Sequence, residues 1–212
     1  MHNSPSPSAN TAIIFDFETS GLSPSHGDRA IEIGAVKIEA GKVVDRFQQL
    51  MNPGFRISGF IESYTGISNE LLGDAPSCEE VMESFADFIG EDNLVAHNAS
   101  FDKRFLEAEL QRVGMNFRGN IACSMLLARR IYQRAPNHRL GTLVAYRNLQ
   151  AEDVFHRALA DSEMTSRLWL KMIEDIQSTY LLPPLSFATM QKISRTPKRK
   201  VHDFLSKISN KR

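Results

Sequence analysis

Apolar and polar positions change rhythm several times along the 212-residue chain. TAIIFDF, from Thr11, is a short apolar run that ends in alternation, the pattern of a central strand. RAIEIGAVKIEAGKVVDRFQQLMNP alternates on both sides of Glu39-Ala40-Gly41-Lys42, which predicts a β-hairpin leading out at Asn52-Pro53. A loop is expected next. In SCEEVMESFADFIG the apolar positions Val81, Phe85 and Phe88-Ile89 take up helical spacing and stop at Gly90. Residues 93–96 read as a short buried strand. A second helix is expected over 100–113, with Phe101, Phe105, Ala108 and Val113 inward and an end at Gly114. Residues 121–132, 140–147 and 158–176 read as further helices, with Trp169 in the core. Three strands, a helix, a strand and then mainly helices predict an α/β class with a mixed sheet.

The chain is long enough to bury most of its apolar surface as one domain. A 42% hydrophobic and 24% charged composition is ordinary for a soluble globular protein, and no apolar run approaches a membrane span. MHNSPSPSAN is polar and rich in Pro and Ser, so residues 1–10 are expected to be a disordered leader. Cys78 and Cys123 are few and far apart, which fits reduced thiols and a cytoplasmic location. The zero net charge is unevenly spread. Residues 191–212 carry eight Lys/Arg and one Asp, while the other 190 carry 17 basic and 24 acidic side chains. A basic C-terminal tail, 179–212, is therefore expected to follow the domain at 11–178. Such a tail either meets a polyanion or an acidic partner, a polymerase or another protein, or is a solvated terminus.

Three stretches carry candidate chemistry. In FDFETSG a strand would project Asp16 and Glu18 from one face at its end. Two adjacent carboxylates repel, and a divalent cation with a preference for hard oxygen ligands, Mg²⁺ or Mn²⁺, relieves this; a solvated strand end is the plainer alternative. In AHNASFDKRFL, Asn98 or Ser100 can cap a helix whose first turn holds Asp102, where the macrodipole favours an acid. In HRALADSEMT, Asp161 shares a helix stripe with Met164, Leu168 and Met172, an expensive place for an unpaired acid. His156 lies five residues before it.

Taken together, Asp-x-Glu in FDFETSG, Asp102 in HNASFD and His-x4-Asp in HRALAD resemble the three motifs of the DEDDh 3′–5′ exonucleases. These are the DnaQ-like proteins, among them the proofreading epsilon subunit of bacterial DNA polymerase III and ribonuclease T. The intervals of 84 residues from Glu18 to Asp102 and 59 from Asp102 to Asp161 suit such a domain, as does ESYTGISNELL before the first long helix. The resemblance spans roughly residues 10–178. It implies a ribonuclease H-like fold with a central mixed five-stranded sheet flanked by helices. It implies two Mg²⁺ or Mn²⁺ ions held by Asp16, Glu18, Asp102 and Asp161, with His156 as the base that takes a proton from the attacking water. It places Phe17, Thr19, Gly21 and Leu22 on one wall around the terminal nucleotide and His97, Asn98 and Phe101 on the other, with Phe17 either stacking on a base or packing. The implied activity is release of nucleoside 5′-monophosphates from single-stranded 3′ ends, on DNA in proofreading or repair. RNA trimming of the ribonuclease T type and a non-catalytic nucleic-acid-binding module are the alternatives. The oligoribonuclease branch carries Met where Ser20 stands here.

Overall fold

The computed structural model describes residues 7–150 and 157–209. The first expected strand is β1, Ala12–Thr19, in the middle of the sheet. β2, Ala30–Glu39, and β3, Lys42–Leu50, form the expected hairpin. Its two-residue turn holds Ala40 at φ 48° and Gly41 at φ 80°. Both lie in the left-handed region, as a turn that matches the twist of the flanking strands requires. β4, Leu94–Ala96, runs parallel to β1 on the other side, and β5, Ile121–Cys123, runs parallel to β4. The order is β3-β2-β1-β4-β5, a mixed five-stranded sheet.

Alternation along β1 divides the core between two layers. Ile13, Phe15 and Phe17 pack with Val81 and Phe85 of α3, Cys78–Ile89, and with Phe105 and Leu106 of α4, Ala99–Arg112. Ala12 and Ile14 face the other way, onto Leu168, Trp169 and Met172 of α7, Ala158–Tyr180. That second layer also contains α5, Ser124–Ile131, and α6, Leu140–Tyr146. Continued along the strand, the same alternation puts Asp16 and Glu18 on the α7 side, where the buried stripe Met164, Leu168 and Met172 begins.

Several expectations are corrected. The loop after Pro53 contains α1, Gly59–Thr65, and α2, Asn69–Gly73, whose N-caps Ser58 and Ser68 accept hydrogen bonds from Ile61 N and Leu71 N. Two helices of seven and five residues are too short to show a periodic apolar stripe. The helix expected over 121–132 begins only at Ser124, because Ile121–Cys123 pairs with β4 as an edge strand. On α4 the buried stripe is Asp102, Phe105, Leu106, Glu109 and Leu110, and Phe101, Ala108 and Val113 are only half-buried. Phe105 is inward as expected and Phe101 and Val113 pack at the edge of the core, but two of the fully inward positions are acids, so the buried face is rotated from the apolar stripe.

The described part of the expected tail is packed structure. α8, Phe187–Arg195, capped by Ser186, and α9, Val201–Ser209, bury Phe187, Met190, Ile193, Val201 and Leu205 in the cluster around Trp169. Each such side chain contributes roughly 1.5–3 kcal/mol over exposure, enough to hold the segment down. Residues 7–10 of the expected leader join the same layer. Ala9 N donates to Leu185 O at 2.9 Å, Phe187 N to Pro7 O at 2.9 Å, and Trp169 Nε1 to Ala9 O at 2.9 Å. No helix among the described residues is long and apolar enough to cross a membrane.

Candidate active site

Carboxylate oxygens of Asp16, Glu18 and Asp161 lie within 4.8 Å of one another, and among the described residues no other such group of His, Cys, Asp or Glu forms. Asp102 is held against them by the backbone. Ile13 N donates to Asn93 O, so alternation aims the N–H of Phe17 at the same edge of β1. β4 ends at Ala96, and the Phe17 N–H is taken by Asp102 Oδ1 at 3.2 Å. Burial first, and then Asp102, Asp161, Glu18 and Glu32, push the Asp16 carboxyl well above the usual carboxylate range. Burial, Asp161, Glu32 and Asp102 raise Glu18 to about 8, with Arg157 opposing. Burial raises Asp102 to about 7 against the opposing hydrogen bond from Phe17 N. An all-carboxylate donor set, crowded and desolvated, fits a hard divalent cation.

Both helices that carry the remaining acids are fastened to β2. Glu32, fully buried, accepts from Arg157 Nε and Nη2 and from Ala158 N at 3.1 Å, which seats the start of α7. Ser162 Oγ donates to Gly34 O at 2.9 Å. Gly34 permits the approach, since a Cβ there would lie 2.1 Å from Leu159 N and 2.2 Å from the Ala158 carbonyl carbon. On α4, Glu109 accepts from Arg29 Nε at 2.9 Å and from Ala30 N at 3.2 Å. Neither Glu32 nor Glu109 was singled out from the sequence. The signal available for Glu32 was a polar residue in the otherwise apolar IEIGAV.

A cavity of about 750 Å³ opens over the acids. It is lined by all seven positions expected around the terminal nucleotide, though not all in the expected way. The Phe17 ring is 4% exposed and stands edge-on to Phe15 with centroids 5.9 Å apart, so it packs in the core. Thr19 Oγ1 donates to Gly21 O at 2.6 Å and rigidifies the turn. At Gly21 a Cβ would meet the Asp28 carboxylate at 2.3 Å. Leu22 is 78% exposed at the mouth.

On the opposite wall, His97 Nε2 donates to His138 O at 3.0 Å, and its Nδ1 accepts from Ser124 Oγ at 2.9 Å. Burial lowers its pKa to about 4, so the ring is a neutral wall element with both nitrogens occupied. Asn98 turns the chain into α4 at φ 72° and makes no side-chain cap. Phe101 is half-buried against Phe105, with Arg104 over its ring. The third wall is α1, which the sequence reading passed over: Phe60 and Tyr64 stack at 6.0 Å and 13°, and both are exposed. His156, the expected base, lies outside the described residues.

A family profile described as exonuclease matches residues 13–169. DNA polymerase III PolC-type from Caldanaerobacter subterraneus subsp. tengcongensis is 39% identical over 165 residues, 78% of this chain and 12% of that protein. The Bacillus subtilis protein of the same description is 38% identical over 167 residues, with the same coverage. The chain thus spans about an eighth of the length of these relatives. Exonuclease X, solved in complex with 5′-overhanging duplex DNA, superposes with a TM-score of 0.66 at 28% identity, covering 86% of this chain and 98% of that one. The nuclease domain of 3′hExo, a DEDDh family member bound to rAMP, shares the fold at a TM-score of 0.65 and 20% identity, covering 78% and 92%. With that profile over most of the chain and these relatives, the chain belongs to the DnaQ-like, metal-dependent 3′–5′ exonuclease family.

Proposed function

We propose that the protein removes nucleoside 5′-monophosphates from the single-stranded 3′ ends of DNA, as in proofreading or repair. The observation that carries this is the convergence of Asp16, Glu18 and Asp161, with Asp102 beside them, at the floor of a nucleotide-sized cavity. Two Mg²⁺ or Mn²⁺ ions held by these four acids would supply Lewis-acid stabilisation of the phosphoryl and leaving oxygens. The chain's own residues do the rest. Phe60 and Tyr64 offer a stacking surface for a base, which any base can use. Leu22, projecting at the mouth, offers an apolar contact to the terminal nucleotide. His156 directly precedes Arg157, whose ion pair to Glu32 anchors the entry to α7. At that point of the chain His156 is the group that takes the proton of the attacking water. The DNA preference rests on the PolC-type relatives and on the DNA-bound exonuclease X, and a 3′ end left by a polymerase is the substrate class that they favour.

The test uses end-labelled DNA and RNA oligonucleotides of matched sequence, with Mg²⁺ or with EDTA. Mononucleotide release from DNA that EDTA abolishes is the expected result, and equal or faster RNA degradation would overturn the substrate assignment. His156→Ala should lose roughly 10²–10⁴-fold in turnover while keeping metal affinity. Turnover like that of the unsubstituted protein would remove His156 from the mechanism.

A further inference from the structure

A second cavity, about 490 Å³, lies away from the acids between the end of α5, α6, α7 and α9. Its lining includes four cations, Arg130, Arg134, Arg147 and Lys198, and one acid, Asp175. Asp175 is already neutralised within the wall. It accepts from Tyr132 O–H at 2.5 Å, pairs with Arg147 Nη2 at 2.8 Å and with Lys171 Nζ at 3.2 Å. The excess charge facing the cavity is therefore positive. Arg147 lies over the Tyr132 ring, yet its Nε is buried without a hydrogen-bond partner among the described residues. That buried nitrogen lies within the wall, so the charge open to the cavity is carried by Arg130, Arg134 and Lys198.

The folded C-terminal segment builds this site. Arg130 Nε donates to Thr196 O at 2.6 Å, and Gln133 Nε2 to Lys198 O at 3.3 Å, so the link between α8 and α9 holds the rim in place. A neighbouring cavity on the same helix reaches the acids. Arg129, the neighbour of Arg130 on α5, lines with Arg139 a cavity of about 710 Å³ that contains Asp16 and Asp161. The two cavities meet the same helix at the adjacent residues Arg129 and Arg130. Tyr146, 39% exposed, adds ring surface beside the cations, the combination of charge and π-face that suits a polynucleotide over an acidic peptide.

We infer that this cavity is a phosphodiester-binding site that holds the substrate strand upstream of its 3′ end, an inference that rests on the exonuclease reading. The test compares the full chain with Arg134→Glu/Lys198→Glu, both at exposed positions, and with Lys42→Glu/Arg118→Glu as a charge-matched control. Binding is read by anisotropy on a 20-nucleotide strand, and hydrolysis on that strand and on a dinucleotide. The expected result is roughly tenfold weaker binding of the long strand, with a salt slope lower by about 0.7 for each lost contact. KM should rise for the long strand alone, and kcat and dinucleotide cleavage should stay unchanged. Equal losses in the control, equal losses on the dinucleotide, or no change in the salt slope would each overturn the inference; the last would leave the surface to a protein partner. A parent protein that binds the strand but cleaves nothing would overturn the exonuclease reading instead, while the binding comparison still judges the cavity.

Discussion

Glu32 and Arg157 are joined across 125 residues of chain by a forked ion pair, with Nη2 2.8 Å from Oε1 and Nε 3.1 Å from Oε2. Glu32 is opposite Glu18 in the β1–β2 register, and Arg157 immediately precedes α7. The pair therefore sets where Asp161 stands relative to Asp16 and Glu18, although neither member belongs to the acid cluster.

Its two halves should fail unequally. Arg157→Met leaves a fully buried carboxylate without its cation and should cost about 3 kcal/mol, near the low end for such pairs because Arg157 is 38% exposed. Glu32→Gln frees an arginine that can turn to water, keeps one acceptor oxygen for Ala158 N, and should cost about 1 kcal/mol. Denaturant unfolding at pH 7 separates the two, and equal costs would mean that the pair is not the anchor.

Stability in EDTA should fall as pH rises. Glu18 titrates near 8 and Asp102 near 7 in the fold, both above their ordinary values of 4.5 and 3.8. Between about pH 4 and 8 the folded chain thus holds more protons than the unfolded chain, and unfolding free energy declines across that window. Asp16→Asn, which removes one of the repelling charges, should flatten the decline. Mg²⁺ should raise Tm more at pH 8 than at pH 5.5, because bound carboxylates must first lose their protons. A Tm that climbs with pH in EDTA would contradict the raised carboxyl pKa values.

Gly34→Ala tests the seating of α7. Its Cβ would meet backbone atoms of Ala158 and Leu159, which cannot swing aside as a side-chain tip would. Overpacking of this kind costs about 1–3 kcal/mol, and here the displaced helix carries Asp161. Both Tm and Mg²⁺-dependent hydrolysis should drop, whereas Gly59→Ala, with nothing within 4 Å of the added Cβ, should leave Tm within a degree or so.

Phe60→Ala should separate substrate contact from stability. Phe60 is 73% exposed, so unfolding should change little. If its ring carries a base, affinity for single-stranded DNA should fall by about 1–3 kcal/mol, with KM rising more than kcat falls. Unchanged KM would return the Phe60–Tyr64 pair to simple surface packing.

The local sequence determined whatever depends on local periodicity and on residue type. The alternation in TAIIFDFET puts Asp16 and Glu18 on one face of a strand, and the two-residue turn at Ala40-Gly41 sets the hairpin register. The stripe Asp161, Met164, Leu168 and Met172 aims an acid inward from α7. Caps were less legible: the one expected at Asn98 or Ser100 makes no side-chain hydrogen bond, whereas Ser58, Ser68, Ser77 and Ser186, not singled out, each begin a helix, and the first two would have revealed α1 and α2. Pairings between distant segments were not legible, because no local rhythm encodes them. Only the tertiary structure decided that Ile121–Cys123 is a strand, since an edge strand of three residues is defined by β4 beside it. Likewise the buried acids Glu32 and Glu109 face inward because Arg157 and Arg29 meet them there, against the hydrophobic preference of those faces. The basic C-terminus shows the same division. Its charge was visible at once, but the five buried apolar residues that fold it against Trp169 gain their stability only from a surface supplied by α5 and α7.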